Sequence, residues 1–159
     1  MVENNDVQDK IVILQALKKD AETVFKVIRS LAKYHGEGAE FRATIEDVER
    51  DGFGKSLLYE SWLTEVDGVP LGLATFFLCY STFNGKPSLL LDNLFVQESA
   101  RGVKIGEKLV TKISCRALEL NCSRIELLVE KNNPARAFYE KFGFPETADR
   151  VYSITSEVF

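Results

Sequence analysis

Histidine is nearly missing from this chain: His35 stands alone among 159 residues. A multi-histidine metal centre is excluded, and no metal is expected. Cysteine is scarce as well. Cys79, Cys115 and Cys122 are odd in number, widely spaced and free of any CxxC pair. That speaks against a disulfide framework or a zinc site and suits a reducing compartment, so the expected location is cytoplasmic. Long apolar runs are lacking too. A stretch such as Leu71–Cys79 is about half of the ~20 residues a membrane span needs, so no membrane partner is expected. Nor is there a basic excess: 20 basic against 24 acidic residues give a net charge of −4. Without a basic stripe, nucleic acid is not an expected partner, and a mildly acidic surface favours a cationic small molecule. Met1–Lys10 is polar and acid-bearing, which fits neither a signal peptide nor an Arg-rich transit peptide. Residues 1–9 are expected to form a mobile tail and 10–159 a single domain.

What is present reads as mixed α/β. Ile11–Leu14 is a short apolar strand. Asp20 stands in N-cap position before Ala21, Val24, Phe25, Ile28, Leu31 and Ala32, a helical stripe ending near Tyr34-His35-Gly36. Thr44 with Asp47 three residues on has capping-box spacing for a second helix, stopped at Asp51-Gly52-Phe53-Gly54. Leu57–Glu65, Leu71–Ser81 and Ser88–Val96 read as strands joined by hairpin signals at Asp67-Gly68 and Asn84-Gly85. Ile105, Leu109, Val110, Ile113, Ala117 and Leu118 mark a helix, and Arg124–Val129 is again a strand. Strand, helix and strand imply a parallel pair. Pro134 is placed in the first turn of a helix carrying Phe138 and Tyr139 and ending at Gly143. Val151–Ile154 closes the chain as a last strand.

The chemistry-bearing segment is Arg101-Gly102-Val103-Lys104-Ile105-Gly106, between a buried strand and an amphipathic helix. A glycine-containing loop feeding a helix N-terminus suits a pyrophosphate, because free N–H groups and the helix dipole meet negative charge there. The same pattern also serves tight packing alone. It is neither a Walker loop nor the three-glycine dinucleotide fingerprint. A second segment, Asn132-Asn133-Pro134-Ala135-Arg136-Ala137-Phe138-Tyr139-Glu140-Lys141-Phe142-Gly143-Phe144, follows about thirty residues later.

The pairing of these two segments resembles the GNAT superfamily of acetyl-CoA-dependent N-acetyltransferases, whose loop consensus is Gln/Arg-x-x-Gly-x-Gly/Ala. The resemblance covers roughly Ile11–Ile154. It implies a GNAT fold: a mixed central sheet with an antiparallel meander and a splayed parallel strand pair, flanked by helices, with the cofactor's pantetheine arm between the splayed strands. Leu31-Ala32-Lys33-Tyr34, Asp51-Gly52-Phe53-Gly54, Tyr80 with Gly85-Lys86, and Leu91-Asp92-Asn93-Leu94-Phe95-Val96 are similar to the diamine (spermidine/spermine) and thialysine acetyltransferase branch. Three departures stand out. Lys104 replaces the middle loop glycine, either as a side chain pointing away or as a cation beside the phosphates. Asp92-Asn93 replaces an acidic pair. Ser81 occupies a position matched to an acid in the Tyr80–Phe83 turn.

The resemblance implies acetyl-CoA as co-substrate. Leu94, Phe95, Val96, Arg101, Gly102, Val103, Lys104, Ile105, Gly106, Glu107, Asn132, Ala135 and Tyr139 would hold it. The acceptor would be the primary amine of a thialysine- or lysine-like amino acid or a di- or polyamine, met by Tyr34, His35, Asp92, Glu126, Leu127 and Leu128. An alkylamine with a pKa near ~10.4 needs a base at neutral pH. Asp92 is the first candidate and Glu126 the second, Asp92 otherwise binding the amine electrostatically or structuring its strand. Amides of Leu94–Val96 would stabilise the oxyanion. Tyr139 would protonate the departing thiolate, or else pack as Phe138 and Phe142 do. Asn132 would bond the cofactor arm, cap the helix, or do both. Direct transfer in a ternary complex is expected, and the relatives' homodimers suggest one here, through Val151–Ile154. Two alternatives stay open: a protein lysine or N-terminal acetyltransferase, and a catalytically silent acyl-CoA-binding module.

Overall fold

Asp67 and Gly68 both take positive φ, 51° and 77°. That is the mirror-image turn that matches the twist of paired strands. It joins β2 (Glu60–Val66) to β3 (Val69–Ser81). A four-residue turn with Gly85 at φ 65° then leads into β4 (Lys86–Val96). Ser81, the residue matched to a missing acid, organises this turn: its Oγ accepts the Asn84 N–H at 3.2 Å. With β1 (Ile11–Gln15) and β5 (Ile125–Leu127) these strands form one sheet ordered β1-β2-β3-β4-β5. The first four are antiparallel, and β4 pairs β5 in parallel. The mixed α/β class and the meander with one parallel crossover are as expected.

The structure, a computed structural model, describes residues 8–148. The expected strand Val151–Ile154 lies outside them. The chain divides into two compact units, a large one ending at Leu128 and a small one beginning at Val129.

Helices α1 (Ala21–Tyr34) and α2 (Ile45–Phe53) cover one face of the sheet, where Val24, Val27 and Val48 pack with Leu63, Leu73 and Phe95. Helix α3 (Ile105–Glu119) covers the other, where Ile105, Leu109 and Ile113 pack with Trp62, Ala74, Phe76, Leu89 and Leu91. Each fully buried Val, Leu, Ile or Phe among them contributes roughly 1.5–3 kcal/mol. Gly72 of β3 lets α3 approach: a Cβ there would stand 3.1 Å from Ile105 Cγ2. The α2 capping box forms as its spacing predicts. Thr44 Oγ1 accepts the Asp47 N–H, and Asp47 Oδ2 accepts the Thr44 N–H at 2.9 Å.

Some boundaries differ from expectation. Asp20 does not cap α1 with its side chain; its Oδ2 accepts the Leu17 N–H and closes the short 3₁₀ turn Lys18–Asp20 instead. β2 begins three residues later than expected, leaving Leu57 and Leu58 exposed. β5 spans three residues rather than Arg124–Val129. In the small unit, Pro134 precedes α4 (Arg136–Lys141) rather than opening it, because Pro134 and Ala135 form a turn closed by the Arg136 N–H to Asn133 O at 3.2 Å. The helix ends as expected: Gly143 at φ 92° allows the Phe144 N–H to bond Tyr139 O.

Candidate active site

Parallel pairing of β4 with β5 stops at Leu91–Leu127. Residues 92–96 continue as strand against β3 alone, so their other backbone edge has no β5 partner. This is the divergence expected of the parallel pair. At its start β4 carries a bulge. Thr75 faces Asn93 and Phe76 faces Leu91, so Asp92 is the extra residue. A bulge breaks the alternation of side chains. Asp92 and Asn93, adjacent in sequence, therefore meet: Asn93 Nδ2 donates to Asp92 Oδ2 and to Thr75 Oγ1, each at 2.7 Å. The Asp92 residue keeps exposed surface, yet partial burial raises its carboxyl pKa, with the Asn93 hydrogen bond opposing that rise.

Beyond the bulge, Leu94 and Val96 lean on the α3 side and Phe95 is buried on the α1 side. Gln97 ties the end of β4 to β3 through its N–H to Leu71 O and its Nε2 to Pro70 O, both 2.9 Å. A 3₁₀ turn at Glu98–Ala100 then delivers Arg101. The loop from Arg101 turns sharply, with Gly102 at φ 87° and Lys104 at φ 64°. Lys104 thus stands left-handed at the N-terminus of α3, where a glycine would sit without strain, and its side chain is exposed. Val103 packs partly into the core and Ile105 is 1% exposed, which anchors the loop on both sides of Lys104. The helix-starting N–H groups of Ile105, Gly106 and Glu107 have no carbonyl four residues back within α3. With the helix dipole and two nearby cations, that donor set suits an anion such as a diphosphate. The Glu107 carboxylate in the same first turn opposes it.

Arg101 is already engaged. Its Nη1 donates to Tyr34 Oη at 2.9 Å, its guanidinium lies 4.4 Å over the Tyr34 ring, and its Nε donates to Val96 O at 3.2 Å. Tyr34 in turn packs near Phe95, ring centroids 6.2 Å apart, and edge-on to His35. Two residues expected at opposite ends of the site, one for the acceptor and one for the phosphates, are thereby in direct contact. Beside them opens a groove of about 660 Å³ lined by Ser30, Lys33, Tyr34, Phe95, Gln97, Glu98 and Ser99.

Glu126 faces Leu90 across the strand pair and is paired with Arg124 at 3.0 Å. Leu127 is half-buried and Leu128 exposed. On α2, Asp47 and Asp51 are both paired with Arg50. Sequence reasoning missed Thr75. The available signal was a hydroxyl in the middle of the apolar run Leu73–Leu78.

In the small unit, Tyr139 is half-buried between aromatic neighbours, 5.3 Å from the Phe138 ring and 6.1 Å from that of Phe144. Burial raises its phenol pKa, so the hydroxyl keeps its proton at neutral pH. The local backbone bond at the start of α4 belongs to Asn133, whose Oδ1 accepts the Ala135 N–H at 2.9 Å. Asn132 therefore does not cap α4, which begins without a side-chain cap after this turn, and Asn132 itself is exposed.

The family model described as "Acetyltransferase (GNAT) family" matches residues 26–144. Among curated proteins, the chain is 28% identical to a thialysine N-epsilon-acetyltransferase of Bos taurus over 142 residues, covering 84% of this chain and 83% of that protein. It is 26% identical to the human spermidine/spermine N(1)-acetyltransferase-like protein 1, covering 82% of this chain but only 20% of that longer protein. Among solved structures, an integron cassette protein from the mobile metagenome of V. cholerae superposes with a TM-score of 0.78 at 22% identity, covering 92% of this chain and 93% of that one.

Proposed function

The chain belongs to the acetyltransferase (GNAT) family and is an N-acetyltransferase, and we propose that it moves the acetyl group of acetyl-CoA directly to a primary amine of a small cationic molecule. The acceptor class is a thialysine- or lysine-like amino acid or a di- or polyamine. The observation carrying this choice is the similarity, across most of the chain, to relatives named for thialysine, joined to an exposed carboxylate placed by a bulge where the strand pair opens. A protein lysine or N-terminal acceptor has no comparable observation in its favour.

Bound acetyl-CoA supplies a thioester whose carbonyl an amine attacks and whose thiolate departs. The chain's residues take the following parts in this proposal. First-turn amides of α3, with Gly102, Val103 and Lys104, hold the diphosphate, and Arg101 shapes that loop through Val96 O and Tyr34. Backbone amides along Leu94–Val96 bind the arm and stabilise the oxyanion. Asn132 and Ala135 add contacts from the turn before α4. Asp92 receives the ammonium and takes its proton, directly or through water. Its raised pKa brings it nearer to the amine's than an ordinary carboxylate's would be. Tyr139 donates its retained proton to the thiolate. Tyr34, His35, Leu127 and Leu128 border the acceptor, and Glu126 is the alternative base. The chain works in the cytoplasm as a homodimer, whose expected contact strand lies outside the described residues.

Release of coenzyme A thiol, measured with thialysine, lysine, putrescine, spermidine and a histone-tail peptide, tests the proposal. Turnover is expected with the small amines and not with the peptide. Turnover of the peptide alone would transfer the chain to the protein-modifying class. Tight acetyl-CoA binding with no turnover of any amine would make it a silent binding module.

A further inference from the structure

A line of polar side chains crosses the sheet on its α1 face. Ser61 of β2 pairs with Thr75 of β3, and Thr75 pairs with Asn93 of β4. Ser61 and Thr75 are 4% and 3% exposed, amid Leu63, Leu73 and Phe95 on the same face. Hydroxyls buried in such company destabilise a fold unless they are bonded. Ser61 Oγ has no hydrogen-bond partner among the described residues, so the row is not optimised for stability. It ends at the bulge. There the Asn93 amide is committed in a defined orientation: a carboxylate only accepts, so the edge turned to Asp92 carries the NH₂ group. The same nitrogen reaches Thr75 Oγ1. One donated proton holds the carboxylate and the other holds the amide.

We infer that Asn93, braced by Thr75, is a positioning residue that fixes the Asp92 carboxylate toward the acceptor amine. The inference rests on the proposed role of Asp92. Asp92 alone, at an exposed bulge, has several rotamers open to it. The Asn93 bond selects one; the carboxylate itself keeps the NH₂ edge turned toward it, and Thr75 Oγ1, taking the second proton of the same nitrogen, restrains the Asn93 side chain from rotating away. Both Nδ2 protons are used, so the atoms remaining at the bulge, Asn93 Oδ1 and the second Asp92 oxygen, can only accept. An acceptor-only surface suits an ammonium or amine N–H. Thr75 has no place in contact with the amine; it acts through Asn93.

Steady-state kinetics with thialysine and spermidine, acetyl-CoA affinity and thermal melting on Thr75→Val, Thr75→Ser, Asn93→Ala, the Thr75→Val/Asn93→Ala double variant and Asp92→Asn decide the matter. Thr75→Val and Asn93→Ala should each lower kcat/KM for the amine by about tenfold, the scale of one hydrogen bond to a charged group. Acetyl-CoA affinity should stay within about twofold, because neither residue borders the Arg101 loop. The double variant should fall no further than the worse single one, since both act on one carboxylate. Thr75→Ser, which keeps the hydroxyl, should restore most of the activity. Wild-type rates in Thr75→Val, losses that multiply in the double variant, or a Thr75→Ser as impaired as Thr75→Val would overturn the inference. If Asp92→Asn alone is crippled, only the positioning role falls. If Asp92→Asn is as active as wild type, the proposed role of Asp92 falls with it.

Discussion

Replacing Lys104 with glycine should make the protein more stable, although it removes a whole side chain. Lys104 sits at φ 64° and ψ 18°. A residue with a Cβ pays about 1–2 kcal/mol in that left-handed region, and glycine does not. The ammonium at the N-terminus of α3 also opposes the helix dipole, by about 0.3–1 kcal/mol when exposed. Against both stands the greater freedom of glycine in the unfolded chain, roughly 0.4–1 kcal/mol. The balance favours the variant by about 1 kcal/mol, or about 2–4 °C in Tm for a chain of this size. Urea and thermal melts without ligand read this directly. A Tm equal to or below wild type would refute the strain argument. The same variant separates the two roles open to Lys104. Its side chain is exposed while the loop's shape is set by Val103 and Ile105, so acetyl-CoA affinity should change by less than about threefold. A tenfold or greater loss would mean that the ammonium sits on the phosphates.

Tyr139→Phe should lower kcat by roughly 10- to 1,000-fold and leave acetyl-CoA affinity nearly unchanged; unchanged kcat in a thiol-release assay would remove Tyr139 from the chemistry. For Asp92, burial raises the pKa above 3.8, so its proton-accepting form appears at a higher pH than for a free aspartate. The acid limb of kcat/KM against pH should therefore lie above that of a free aspartate and vanish in Asp92→Asn; an identical limb in that variant would assign it to another group. The same shift has a stability consequence of fixed sign. A carboxyl whose folded pKa is raised binds protons more tightly when folded, so its contribution to stability declines as pH rises from the unfolded pKa through the folded one. Asp92→Asn should flatten that decline in melts taken across weakly acidic pH. Thr44→Ala should cost about 1 kcal/mol in urea denaturation, with little effect on turnover, since the capping box holds α2 and not the catalytic loop.

Where side-chain periodicity and local capping decide the structure, the sequence was sufficient. The stripe from Ala21 to Ala32, the Thr44 and Asp47 spacing, the Asp67-Gly68 turn and the Gly143 stop each specify a local geometry, and each forms. The failures are equally physical. Asp20 has the right identity for a cap, but the preceding turn offers its carboxylate the Leu17 N–H first. Pro134 is compatible with a first helical turn, yet Asn133 captures the Ala135 N–H and delays α4 to Arg136. Among the proposed site residues, Arg101 and Lys104 stand out in the sequence at a strand–loop–helix junction, whereas Asp92 came only from the resemblance. Thr75 and the contact between Arg101 and Tyr34 were not legible, because both depend on partners 18 and 67 residues apart.

Local rules break in several places, among them a second strand irregularity at Thr64/Glu65, a left-handed Asn121 and unpartnered Trp62 Nε1 and Thr64 Oγ1, and three of the breaks lie along one path. A bulge inserts Asp92, a left-handed lysine starts α3, and a buried hydroxyl row with an unpartnered member leads to Asn93. Each departure costs stability, and a chain selected for folding alone would shed the last two through a glycine at 104 and apolar residues at 61 and 75. All three border the stretch from Asp92 to Gly106, where β4 leaves β5 and turns into α3. Tertiary packing does not require them, since the cores on both faces are built from other residues. Under the proposed mechanism the strain belongs to the reaction: the bulge would aim a carboxylate, the polar row would hold it, and the left-handed turn would open the amides of α3. Relieving the last two together by Lys104→Gly, Thr75→Val and Ser61→Ala, with the bulge left in place, should therefore raise Tm while lowering turnover. A variant that gained both would show the departures to be accidents of the fold.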